Sequence, residues 1–158
     1  MKKLLCLLFA FPALHAHAET SPFEQVFDAI SNPRVFDMSF SKILAPLNGL
    51  CKKSTRTGVD LIKNGNVECT KNTDVESLTI SGSETPTVSM IQASFTGADK
   101  CEAMKKILVE RFGKPGKTSG ACDVSWNLKP LKKGGPRRVA GIEAAKDKIY
   151  FSYAEEQG

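Results

Sequence analysis

The chain has 158 residues, 41% hydrophobic and 25% charged, with a net charge of +5. That balance suits one core-forming domain and excludes a low-complexity or intrinsically unfolded chain. With only two histidines, the commonest catalytic arrangements depend on where those two residues lie.

Both lie at the start. Lys2 and Lys3 precede a short apolar run, Leu4 to Ala13, and Ala16-His17-Ala18 forms a small-residue cleavage site before Glu19. This is the layout of a secretory signal peptide spanning residues 1–18, and its apolar run is too short to cross a membrane. Cleavage after Ala18 removes Cys6, His15 and His17. Residues 19–158 then form a single exported globular domain, periplasmic or secreted, with four cysteines and no histidine. Cys6 lies too early in the apolar region to be a lipid-attachment site. No later stretch is apolar enough for a membrane span.

Ser21-Pro22-Phe23-Glu24 opens the first helix. Ser21 caps, Pro22 suits the first helical position and Glu24 completes a capping box. Phe23, Val26, Phe27 and Ile30 repeat at helical spacing, and Asn32-Pro33 stops the helix. Ser39 caps a second short helix whose buried stripe is Phe40, Ile43, Leu44 and Leu47, ended by Asn48-Gly49.

Strands follow. Val59–Lys63 and Asn66–Cys69 flank Asn64-Gly65, a pair suited to a type I′ turn, which predicts a hairpin there. Ser77–Ser81 and Val88–Phe95 read as two more strands. Asp99–Phe112 is the longest helix, with Cys101, Met104, Ile107, Leu108 and Phe112 on one face and Gly113 and Pro115 at its end. Cys122–Leu128 alternates as a strand, with Val124 and Trp126 sharing a face. Val139–Ala144 and Ile149–Tyr153 form a last hairpin around Lys146-Asp147. The order predicts an α+β fold: two short N-terminal helices, an antiparallel sheet, one longer helix and C-terminal β-hairpins. Lys42-Ile43-Leu44 recurs as Lys106-Ile107-Leu108, each late in a helix before a strand, as two half-domains of helix plus hairpins would produce.

Four cysteines in an exported chain point to two disulfides. Cys51–Cys69 and Cys101–Cys122 each close a short loop, which the chain-entropy model values at roughly 3 kcal/mol. A zinc site is the rival use of four thiolates, but no CxxC pair is present, so no metal is expected.

Without histidine, no Ser-His-Asp or Cys-His arrangement can form. Glu68, Asp74, Glu76 and Glu84 are scattered through strands and turns rather than paired. Gly116-Lys117-Thr118 has the end of a phosphate loop. It trails a helix instead of opening one, and Arg111 stands where the first glycine is required, so no nucleotide cofactor is expected.

The charge is unevenly spread: residues 100–138 hold eleven Lys/Arg against three Asp/Glu. Lys129, Lys132, Lys133, Arg137 and Arg138 crowd one Pro- and Gly-containing loop. Like charges that close repel, and an anionic partner relieves the repulsion. In an exported protein the available anions are envelope components and acidic proteins; no motif supports nucleic-acid binding. Trp126 anchors the core. Tyr150 and Tyr153 fall on opposite faces of the last strand, so Tyr150 is the one displayed to a partner.

The stretch Leu108-Val109-Glu110-Arg111-Phe112-Gly113-Lys114-Pro115, followed by Val124-Ser125-Trp126, resembles a pattern of small outer-membrane assembly lipoproteins and the β-lactamase-inhibitor-like fold. Both carry a helix ending in Leu-Gly-x-Pro before a strand with Trp. The resemblance covers roughly residues 97–128. It implies a helix pair against a curved antiparallel sheet that acts by protein binding, and it transfers no catalytic residue. The chain departs from the pattern in its missing lipid-attachment cysteine, its longer helix and its disulfides.

The sequence therefore predicts a non-enzymatic exported binding protein, of inhibitor or immunity type or an envelope assembly factor. Its contact residues are Lys129, Lys132, Lys133, Arg137, Arg138 and Tyr150. A carboxylate-based cell-wall hydrolase and a structural envelope protein are the alternatives.

Overall fold

A computed structural model describes residues 20–54, 64–82 and 88–156. The expected signal peptide, the strand expected over Val59–Lys63, and Glu84 lie outside the described residues.

Three α-helices form: α1 Pro22–Ile30, α2 Phe40–Leu44 and α3 Cys101–Phe112. The α1 capping box is closed. Ser21 Oγ accepts from the Glu24 amide at 3.2 Å, and Glu24 Oε2 accepts from the Ser21 amide at 3.0 Å. Ser39 makes no capping bond to α2; its hydroxyl lies 3.1 Å from that of Ser41.

Among the described residues, eight strands follow: β1 Cys51–Lys53, β2 Asn64–Cys69, β3 Val75–Gly82, β4 Val88–Thr96, β5 Lys117–Gly120, β6 Asp123–Leu128, β7 Arg137–Ala145 and β8 Lys148–Glu156. They form one sheet in the order β1-β2-β3-β4-β8-β7-β6-β5, with every pairing antiparallel. The chain is therefore α+β. Its layout repeats: helix, then a four-strand meander, occurs twice. The two meanders run outward from a central seam where β4 pairs with β8, from Met90↔Ala154 to Thr96↔Lys148.

One expectation changes. Asn64-Gly65 is not a hairpin turn. Both residues belong to β2, where Asn64 pairs with Ser81 and Gly65 with Ile80. Glycine is needed there for close approach, not for turning: a Cβ on Gly65 would lie 2.1 Å from Phe40 Cε2. Among the described residues, the strand paired with the other side of β2 is β1, too short to show a period. The segment resembling a phosphate loop contains β5, whose four residues are all exposed at the sheet edge.

One core lies between helices and sheet. Phe27 of α1 packs edge-on against Phe95 of β4 and Phe151 of β8, at ring separations of 5.9 and 5.1 Å, so α1 covers the seam. Phe112 of α3 packs on Trp126 and Tyr153 at 6.4 and 5.3 Å. Trp126 is buried, and its indole N–H donates to the Gly113 carbonyl at 2.8 Å, so its polar atom is satisfied. Arg111 ties α3 to α1 by donating to the Asp28 carbonyl at 2.7 Å, the Asp28 carboxylate and the Ser31 hydroxyl.

Both expected disulfides form. Cys51–Cys69 joins directly opposed residues of β1 and β2, and Cys101–Cys122 joins the start of α3 to the start of β6. Such bonds belong to a chain that folds in oxidising surroundings. Among the described residues, no helix is long and apolar enough to cross a membrane.

Candidate functional site

Because strand side chains alternate, each strand gives one face to the core and one away from it. Among the described residues, the helices occupy only one side. Leu78, Ile80, Ile91, Phe95, Val124, Ile142 and Phe151 point toward them and are buried. Their neighbours, among them Thr79, Gln92, Ser125, Glu143, Tyr150 and Ser152, point away and line a hollow of about 610 Å³ across the central strands.

Small polar side chains floor this hollow. Ser77 and Ser94 share a 2.7 Å hydrogen bond across β3 and β4. The Ser94 hydroxyl also donates to Glu76 at 3.4 Å, and Lys148 donates to the same carboxylate at 2.6 Å. That bond to Glu76 is the main reason the Lys148 pKa is raised. Gly141 of β7 adds no side chain. Tyr150 rises from this floor with 47% of its surface exposed, opposite Glu143 on β7 and Ser94 on β4. Val124 pairs with Ile142, so Asp123 and Glu143 stand on neighbouring strands beside it.

The basic loop connects β6 to β7 at the far end of the same sheet. Tyr150 is opposite Glu143 and Arg138 is opposite Glu155, so the loop root lies about 17 Å along β8 from Tyr150. Gly134, at a φ of 78°, and a 3.0 Å bond from the Gly135 amide to the Lys132 carbonyl turn the tip. Lys129, Lys133 and Arg137 are exposed. The Lys132 side chain is 85% exposed, with its ammonium 3.9 Å from Asp37.

Arg138 is different, and it leaves the set of displayed cations. It is 8% exposed and faces the core side of β7 with Ala140 and Ile142. Its Nε and Nη2 donate to the Lys129 carbonyl at 3.0 and 2.7 Å. Its Nη1 donates to the Pro33 carbonyl at 2.6 Å and the Tyr153 hydroxyl at 2.8 Å. Arg138 therefore clamps the root of the loop to the turn after α1. The alternation of β7 could have shown this: Arg138 shares parity with Ala140 and Ile142, whereas Arg137 does not.

Tyr153 is fully buried in that clamp. Burial pushes its pKa up to about 12, against the opposing pull of Arg138. The unfolded phenol ionises near pH 10, so the native state binds the proton more tightly. Stability is full below pH 10 and falls as pH rises to about 12, by roughly 2–3 kcal/mol. Denaturant unfolding at pH 9 and pH 12 measures this, and Tyr153→Phe should flatten the difference.

The scattered carboxylates have separate partners. Glu68 accepts from the Ser54 hydroxyl at 2.7 Å, Asp74 lies 3.2 Å from the Lys100 ammonium, and Glu76 holds Lys148. Among the described residues, no group of three or more His, Cys, Asp or Glu side chains is placed to hold a metal ion. No known protein family, no curated protein and no solved structure matches the chain.

Proposed function

We propose that this chain is an exported, non-enzymatic binding protein that seats a protein partner on the helix-free face of its sheet. The observation that carries the reading is the hollow of about 610 Å³ with Tyr150 exposed within it. An exposed tyrosine over a rigid floor of Ser, Thr and Gly gives a large, amphipathic contact at low conformational cost.

Charge sets the orientation. Asp123 and Glu143 flank Tyr150 at one end, and Lys129, Lys132, Lys133 and Arg137 border the other. The partner presents basic groups over Tyr150 and acidic groups over the loop. With residues 1–18 removed, the protein works in the periplasm or outside the cell, as an inhibitor of an envelope enzyme or as an assembly factor.

Changing Lys129, Lys132, Lys133 and Arg137 together to serine, leaving Arg138 intact, tests the orientation. Long-range attraction from exposed charges is screened by salt. The variant should bind the partner captured from envelope extract roughly tenfold more weakly at low salt, with a much smaller loss at high salt. Equal binding at every salt concentration removes the basic loop from the interface.

A further inference from the structure

The two disulfides occupy unlike settings. Cys101 and Cys122 are both buried, at 7% and 8% exposure, and α3 is held independently by fully buried Met104 and Leu108. Cys69 is only half-buried, and the Cys51–Cys69 bond lies in the wall of a cavity of about 440 Å³ that Lys52 also lines. It staples β1, a three-residue strand on the outer edge of the sheet, whose ladder is Cys51↔Cys69, Lys52↔Glu68 and Lys53↔Val67.

We propose that Cys51–Cys69 is a thiol–disulfide exchange site, reduced by a dithiol protein of the envelope while the rest of the fold stays intact. A thiolate of the reductant attacks Sγ of Cys69, the more accessible sulfur, forming a mixed disulfide and releasing Cys51 as a thiolate. The reductant's second thiol then displaces Cys69. Two electrons and two protons pass to the cysteine pair, and the dithiol leaves as its own disulfide. Without the staple, β1 is held to β2 by a three-residue ladder, its flanking backbone bonds and the 2.7 Å bond from the Ser54 hydroxyl to Glu68. Its release turns β2 into a free sheet edge, open to pairing with another strand.

The test uses the native protein in a graded dithiothreitol series, quenched by alkylation and read by peptide mass. Cys51 and Cys69 should become alkylated at about tenfold lower dithiothreitol than Cys101 and Cys122. The near-ultraviolet signal of Trp126 should be unchanged, while amide exchange quickens at Ser54, whose amide donates to the Asn66 carbonyl of β2 at 2.7 Å. Four outcomes overturn the proposal: Cys101 and Cys122 reduced first, all four cysteines reduced together, no reduction short of unfolding, or loss of the Trp126 signal in step with Cys51 and Cys69.

Discussion

Replacing Arg138 with alanine should lower the unfolding free energy by about 1–3 kcal/mol, whereas Arg137→Ala should change it by less than about 0.5 kcal/mol. The two arginines are adjacent in sequence and differ only in the face of β7 they occupy. Arg138 supplies four donors to three acceptors, the carbonyls of Lys129 and Pro33 and the hydroxyl of Tyr153. Truncation leaves the Lys129 carbonyl without that partner and leaves the Tyr153 hydroxyl and the Pro33 carbonyl only their 3.3 Å bond to each other, and an unsatisfied polar group costs roughly 1–3 kcal/mol. It also unties the basic loop from the turn after α1. Urea unfolding of the two variants checks the contrast, and Arg138→Lys should rescue little, because an ammonium cannot reproduce the forked donors. Equal stabilities for both alanine variants would contradict the clamp.

Tyr150→Ala should weaken the proposed partner's binding by 2 kcal/mol or more, about thirtyfold, with stability changed by less than about 0.5 kcal/mol. The stability half of this expectation follows from exposure: the ring stands off the sheet away from the helices and fills no core space. The binding half follows from its central place, with Ser94 and Glu143 directly beside it and small side chains around it. Tyr150→Phe should retain most of the affinity if ring contact dominates. Titration calorimetry beside thermal unfolding separates the two effects. A binding loss that tracks a loss of stability would assign Tyr150 to the fold instead.

The sequence was most legible where local chemistry and long-range packing agreed. The capping box at Ser21 and Glu24 marked α1, and the period of two in the last hairpin placed Tyr153 inside and Tyr150 outside. Both disulfides followed from loop length and the absence of CxxC spacing. It was least legible where a tertiary contact overrode a local preference. Asn64-Gly65 has ideal turn chemistry, yet Phe40 lies where a Gly65 side chain would be, and β2 runs through the pair. The strands β1 and β5 are three and four residues long, too short to declare a period, and exist because a longer neighbour offers a ladder. Arg138 shares the charge of its basic neighbours, but its parity with Ala140 and Ile142 puts it on the core side of β7. The hollow was not readable at all as a unit. It is assembled from strands β3, β4, β6, β7 and β8, and their order across the sheet is set by the β4–β8 seam rather than by any one segment.

The central claim is that the helix-free face, not the helical layer, receives the partner. The most direct measurement is equilibrium binding of the captured partner to two single variants that place a new charge on opposite sides of the molecule. Ser152→Arg puts a bulky cation in the hollow beside Tyr150. Lys106→Glu reverses an exposed charge on α3. The predicted result is a loss of at least about thirtyfold for Ser152→Arg and no change beyond about twofold for Lys106→Glu, with both variants folded. Full binding by Ser152→Arg together with a large loss for Lys106→Glu would move the interface to the helices and contradict the account.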